Sequence, residues 1–195
     1  MNIAILILAA GSSSRMGTPK QLLPIGNSTL LGITINTALN SNASKVLCVL
    51  GANAEKIKSS IKNYNIETVL NINYKNGISS SIISGIEHLI PMNFDAVLIM
   101  LGDQPNVGSE YLNSLIQLFL KNPKQISASN YDGKLGVPAI FPKTYFEDLK
   151  QLSGDKGARN LLNSFKVNSL ILQSEEFIDI DTIKEYQDFI SSIKK

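Results

Sequence analysis

The chain has 195 residues, 44% hydrophobic and 17% charged, with 18 basic against 16 acidic side chains and a formal net charge of +2. That length supports one domain whose core needs neither disulfides nor a structural metal, and the apolar content excludes a disordered chain. No basic run is present, so no nucleic-acid partner is expected; the single cysteine, Cys48, and single histidine, His88, exclude a disulfide framework, a CxxC zinc site and a multi-histidine metal site within one chain.

Ile3–Ala9 reads as a strand buried on both faces. It is too short to span a bilayer and carries no basic leader, so no membrane association is expected and the cytoplasm is the expected location. A loop rich in Gly and Ser runs from Gly11 to Gly17, followed by helical spacing over Thr29–Leu39. Lys45–Leu50 reads as a strand, Ala54–Ile61 as a helix and Glu67–Leu70 as a strand. Ser79–Ile90 is a helix with Ile82, Ile83, Ile86 and Leu89 as its apolar stripe, and Ala96–Leu101 is a further buried strand. Tyr111–Leu120 follows as a helix, then strands at Ile126–Ser129 and Pro138–Phe141 around a turn at Asp132-Gly133. Ala158–Phe165 reads as a helix, Ser169–Leu172 and Phe177–Ile180 as strands, and Ile183–Ile193 as the last helix. Strands alternating with helices predict an α/β fold over residues 1–195 as a single domain. Its mostly parallel central sheet carries helices on both faces, with a small antiparallel insertion near 126–141.

In such a sheet ligands lie beyond the carboxyl ends of the strands. The loop after the first strand, Leu8 to Lys20, combines small residues with Arg15 and Lys20. Small residues let backbone N–H groups approach an anion, and the two cations complete a site suited to a triphosphate. It is neither a Walker A loop nor a GxGxxG turn. Arg15 and Arg159 are the only arginines beside sixteen lysines, which marks both as candidates for bidentate anion binding. Asp103, in Gly102-Asp103-Gln104-Pro105 after the fourth strand, is placed to hold Mg²⁺ or to serve as a turn or cap residue. Strict alternation over Phe177–Asp181 predicts that Asp179 and Asp181 share one face, inviting a cation, while Asp181 or Thr182 is also a candidate cap for the last helix. His88 beside an apolar stripe and Cys48 within a strand read as structural residues.

Leu-Ala-Ala-Gly-x-Ser-x-Arg-Met-Gly-x-x-Lys, from Leu8 to Lys20, resembles the signature of the sugar-nucleotide-type nucleotidyltransferases, and within them the molybdenum cofactor cytidylyltransferases. Gly-Asp-Gln-Pro at 102–105, Asp-x-Asp-Thr at 179–182, the Asn71 to Ser81 segment and Gly-Asp-Lys-Gly-Ala-Arg at 154–159 are similar to further motifs of that family. The resemblance implies a glycosyltransferase-A type fold and a Mg²⁺-dependent transfer of CMP from CTP to a phosphate-bearing acceptor, molybdopterin, with release of pyrophosphate. It also implies a molybdoenzyme or its chaperone as protein partner. It assigns Arg15, Lys20 and Asp103 to catalysis and Asp103 and Asp181 to the metal, with Asp179 in a lesser role. It assigns Leu8, Ala9, Ala10, Gly11, Arg15, Lys20, Gly77 and Ser81 to the nucleotide, with Asn71 structural, and Gly136, Pro138, Asp155, Lys156 and Arg159 to the acceptor. Ala10, where guanylyl-transferring relatives carry Gly, leans towards cytidine. Val137 departs from the family's usual His and leaves the acceptor open. The other readings are a transferase acting on a sugar or alditol phosphate, and a non-catalytic nucleotide-binding or cofactor-insertion module.

Overall fold

The computed structural model describes residues 1–131, 133–164, 169–173 and 177–193. In chain order its elements are β1 (Ile3–Ala9), β2 (Pro24–Ile25), β3 (Ser28–Thr29), α1 (Leu30–Leu39), β4 (Lys45–Leu50), α2 (Ala54–Ser60), β5 (Glu67–Leu70) and α3 (Ile78–Leu89). They continue with β6 (Ala96–Leu101), α4 (Ser109–Lys121), β7 (Ile126–Tyr131), β8 (Lys134–Pro142), α5 (Phe146–Lys150), α6 (Arg159–Ser164), β9 (Ser169–Gln173) and α7 (Ile183–Ser192).

Every side chain of β1 is buried because the strand lies inside a seven-stranded sheet of order β5-β4-β1-β6-β8-β7-β9. It is parallel to both neighbours, with Ile7 opposite Cys48 of β4 and Met100 of β6. Its side chains alternate between two cores. Ile3, Ile5, Ile7 and Ala9 meet Leu31 and Ile35 of α1, Ile57 of α2 and the apolar face of α4, including Phe119. Ala4, Leu6 and Leu8 meet Ile82 and Ile86 of α3, Phe146 and Leu149 of α5 and Leu162 of α6. Each such buried side chain stabilises the fold by roughly 1.5–3 kcal/mol before entropy is counted. α3 lies close on β1 because Gly85 has no side chain; a Cβ there would come 2.4 Å from Leu6 Cδ1. The expected layering, a mostly parallel sheet covered by helices on both faces, is thus present.

The antiparallel pair expected near 126–141 is present as β7 and β8, built into the main sheet, with β8 antiparallel to both β6 and β7 and β9 parallel to β7. A separate antiparallel sheet of two strands is formed by β2 and β3. One expectation is corrected: Phe177–Ile180 is not a strand. This segment is tied at two points instead, by Ile178 N–H donating to Asn106 Oδ1 at 3.0 Å and Ile180 N–H donating to Asp103 O at 3.1 Å. Ile180 is buried against Leu30 and Phe189, whereas Ile178 is 42% exposed, so the two do not share a buried face. Asp132 of the expected turn and Phe165 of the expected helix lie outside the described residues. Among the described residues no helix is long and apolar enough to cross a membrane.

Candidate functional site

From β1 the chain adds β4 and β5 on one side, then returns to place β6 on the other. The carboxyl ends of β1 and β6 therefore flank the point where strand order reverses, the usual place for a ligand crevice in open α/β sheets. A cleft of about 730 Å³ opens there. Leu8, Ala9, Ala10, Gly11, Arg15 and Lys20 line it, as do Gly77, Ser81, Asp103 and Asp155.

The loop after β1 is braced by a residue that motif reading did not single out. Gln21, 3% exposed in a 3₁₀ turn, donates from Nε2 to Ala9 O at 3.0 Å and to Gly11 O at 2.9 Å. Ser13 Oγ donates to Gln21 Oε1 at 3.3 Å and accepts from the Lys20 N–H at 3.0 Å. Ser13 itself sits at φ 54, in the left-handed region that favours glycine. Within this frame Arg15 is exposed, with 70% of its side chain open to solvent, while Lys20 is largely buried.

Lys20 joins the two carboxylates assigned to the metal. Its Nζ lies 2.5 Å from Asp103 Oδ2 and 2.7 Å from Asp181 Oδ1, and Arg15 Nη1 lies 2.9 Å from Asp181 Oδ2. Asp181 is free for these contacts because Thr182 caps α7: its Oγ1 accepts from the Glu185 N–H at 3.2 Å, and Glu185 Oε2 accepts from the Thr182 N–H at 2.8 Å and the Asp181 N–H at 2.9 Å. The pKa directions follow the partners. Burial pulls the Lys20 ammonium down, but the two carboxylates outweigh it and hold its pKa up. The hydrogen bond from Lys20 leads in holding Asp181 below the usual carboxylate range, with Arg15 adding to it. Asp103 moves the other way despite its short contact, because burial outweighs a single cationic partner. Asp179, placed with Asp181 by the alternation, instead accepts from Gln104 Nε2 at 2.8 Å.

The opposite wall is built by the start of α3. Asn71 is fully buried; its Nδ2 donates to Ser80 Oγ at 2.8 Å and Ser81 Oγ at 3.0 Å, which ties the start of α3 down and holds Ser81 at the cleft. Tyr74 and Lys75 also line this wall, though no sequence signal separated them from an ordinary helix approach. Gly77, at φ 91, lies under Asp155. The structure therefore places Asp155, an acceptor candidate, in the same cleft as the nucleotide candidates.

The remaining acceptor candidates do not line this cleft. Pro138 is buried, and its carbonyl accepts from Ser129 Oγ at 2.7 Å. Gly136 is covered by the Tyr131 ring, 2.8 Å from where a Cβ would stand, and the Tyr131 hydroxyl donates to Val137 O. Gln104 Nε2 reaches the Tyr131 oxygen at 3.4 Å, so this hairpin is linked to the residue after Asp103. Lys156 and Arg159 are exposed, and among the described residues Arg159 forms no ion pair with Asp155. His88 lies at the other end of the sheet, its Nε2 2.6 Å from Glu67 Oε1, while Lys45 Nζ meets Glu67 Oε2 at 2.5 Å. Cys48 is wholly buried and its thiol is pushed up to about 12.

A nucleotide-sized cleft at the switch point, an anion-ready loop, Asp103 after a strand end and Asp181 before α7 are the features of a nucleotidyltransferase-type site. The family model described as a MobA-like NTP transferase domain matches residues 5–170, and the chain belongs to this family. It is 32% identical over 194 residues to the purine catabolism protein PucB of Bacillus subtilis, covering 93% of this chain and 92% of that protein. It is 31% identical over 195 residues to a protein named nicotine blue oxidoreductase from Paenarthrobacter nicotinovorans, covering 92% of each. The crystal structure of Rv0371C in complex with manganese, from Mycobacterium tuberculosis, superimposes with a TM-score of 0.82 at 27% identity, covering 98% of this chain and 100% of that one.

Proposed function

We propose that this chain, acting as a single catalytic domain, transfers CMP from CTP to the phosphate of molybdopterin and releases pyrophosphate. An oxygen of the acceptor phosphate attacks the α-phosphorus; the bond between the α-phosphorus and the bridging oxygen breaks, and pyrophosphate leaves with the electron pair. An existing phosphate anion needs little activation, so the work of the protein is positioning and charge neutralisation. In this reading Leu8, Ala9, Ala10 and Gly11 take the base and ribose end with Gly77 and Ser81, while Arg15 and Lys20 offset charge building on the leaving pyrophosphate. Lys156 and Arg159 bind the acceptor, Gly136 and Pro138 shape the hairpin beside it without touching it, and Asp155 closes the cleft between the two substrates. A protein partner is a molybdoenzyme or its chaperone, and the reaction runs in the cytoplasm, where nucleoside triphosphates are made.

The observation that carries this reading is Asp103 itself. It sits at the carboxyl end of β6 against the triphosphate-type loop, and its buried Oδ1 has no hydrogen-bond partner among the described residues. Two carboxylates fit a hard divalent cation that takes its remaining oxygens from substrate phosphates and water. Among the described residues no group of three acidic, His or Cys side chains forms a self-sufficient cage, which agrees with such sharing. A divalent cation held by Asp103 and Asp181, Mg²⁺ in this reading, would supply Lewis-acid neutralisation of the phosphates.

The test is to incubate the protein with molybdopterin bearing molybdenum, each of the four nucleoside triphosphates in turn, and Mg²⁺, and to identify products by mass spectrometry. The molybdopterin–cytosine dinucleotide is the expected product. Val137 gives a reason to run sugar and alditol phosphates beside molybdopterin; product from those alone would move the acceptor assignment and leave the reaction class in place.

A further inference from the structure

Lys20 occupies the position between two carboxylates where the proposed reading puts a cation. Its ammonium contacts Asp103 Oδ2 at 2.5 Å and Asp181 Oδ1 at 2.7 Å, and only 14% of its side chain is exposed. While this ion pair stands, Asp103 Oδ2 and Asp181 Oδ1 are engaged by the ammonium, so a divalent ion that draws on both side chains competes with Lys20 for them. From this, together with the metal reading above on which it rests, we infer that Lys20 is a two-position residue. Without nucleotide it holds Asp103 and Asp181 together as the resident positive charge; with nucleotide its ammonium leaves them for the phosphate oxygens of the triphosphate.

The geometry supplies both positions. Lys20 follows Pro19, and its backbone N–H is anchored to Ser13 Oγ at 3.0 Å, so the stem is fixed while the side chain alone can swing. The same cleft is lined by Gly11, Ser12 and Ser14, so a triphosphate held by that loop lies within the arc of the ammonium. Asp103, the more buried of the two carboxylates, resists losing Lys20 unless another cation replaces it, since a largely buried charge left unpaired is costly. Divalent ion and triphosphate therefore bind with strong positive coupling, and the ion alone binds weakly. Linkage makes the coupling reciprocal: the ion strengthens triphosphate binding by the same factor.

The experiment measures Mn²⁺ affinity by the electron paramagnetic resonance signal of the free ion, with and without a CTP analogue carrying a methylene between its α- and β-phosphates. Wild-type protein binds Mn²⁺ weakly alone, and the analogue tightens it by roughly tenfold or more. Lys20→Met binds Mn²⁺ alone more tightly than wild type and loses most of the coupling; Lys20→Gln gives the same pattern if the methionine variant does not fold. Because the analogue itself chelates Mn²⁺, its protein-free binding is subtracted, and the inference is read from the difference between wild type and the Lys20 variants. If both Lys20 variants bind Mn²⁺ alone no more tightly than wild type, while Asp103→Asn removes the binding seen with analogue, Lys20 is not the resident cation and the metal site stands. Mn²⁺ binding of equal strength with and without analogue overturns the inference directly. No binding under either condition overturns the metal reading, and the inference with it.

Discussion

Asp155 rests on Gly77: a Cβ built at residue 77 would lie 2.4 Å from Asp155 Oδ1 and 2.6 Å from the carbonyl carbon and oxygen of Gly154. Seventy-odd residues apart in sequence, the two close one wall of the cleft, where the segment expected to read the base meets the segment expected to hold the acceptor.

This contact makes Gly77→Ala a severe change. Alanine would have to adopt φ 91, at a cost on the order of 1–3 kcal/mol, and push on backbone that cannot rotate away as a side chain can. The expected outcome is a fall in melting temperature of a few degrees together with lost CTP affinity, measured by thermal denaturation and calorimetry. Unchanged affinity would show that the 154–155 segment does not shape the nucleotide end.

Asp103→Asn separates stability from activity. Burial raises the Asp103 pKa above its ordinary value of about 3.9. A carboxyl with a raised folded pKa gives stability that is full below the unfolded pKa and is lost as pH rises through the folded pKa. The neutral Asn avoids that loss, and Lys20 keeps Asp181 as partner. The variant is expected to melt no lower than wild type at pH 7, to lose any advantage as the pH falls towards about 4, and to release no pyrophosphate. A large drop in melting temperature at pH 7 would make Asp103 a structural anchor instead.

Arg159 is exposed at the start of α6, and among the described residues it has no ion-pair partner. Arg159→Ala is expected to change stability by no more than about 0.5 kcal/mol, the range of an ordinary surface substitution. It should raise KM for the acceptor and leave CTP binding intact. Lost CTP affinity with acceptor use unchanged would reverse the division of the site into two halves.

Cys48 lies in β4 at 0% exposure, with a thiol held up at about 12 by burial alone. A thiol-reactive reagent at pH 8 is expected to label it only at the rate of unfolding, and fully in denaturant. Rapid labelling of the native protein would place it elsewhere.

The parts of the site carried by short contiguous motifs were legible in the sequence. Leu8 to Lys20 and Gly102 to Gln104 each follow a strand whose buried run marks the sheet's carboxyl edge, so type and place could be read together. Residues that act through distant contacts were not. Gln21 braces the loop through carbonyls at Ala9 and Gly11, yet a glutamine in a short turn carries no periodic signal. Tyr131 covers Gly136 across a hairpin, a juxtaposition set by β-sheet register rather than by local pattern. Alternation at Phe177–Asp181 was misleading for a related reason. The Ile180 N–H bonds to Asp103 O and Asp179 turns to Gln104, so loop contacts, not a strand ladder, decide where each carboxylate goes. Composition did carry one lesson about location: Arg15 lies at the cleft, whereas Arg159, the other arginine, stands outside its lining.

The most direct test of nucleotidyl transfer is stoichiometry in a single turnover with CTP labelled at the α-phosphate, Mg²⁺ and molybdopterin bearing molybdenum. The account predicts one pyrophosphate released for each α-label that moves onto the acceptor, and neither event when CTP or acceptor is left out. Protein that binds CTP but releases orthophosphate, or that leaves the label on free nucleotide with every acceptor offered, would contradict it.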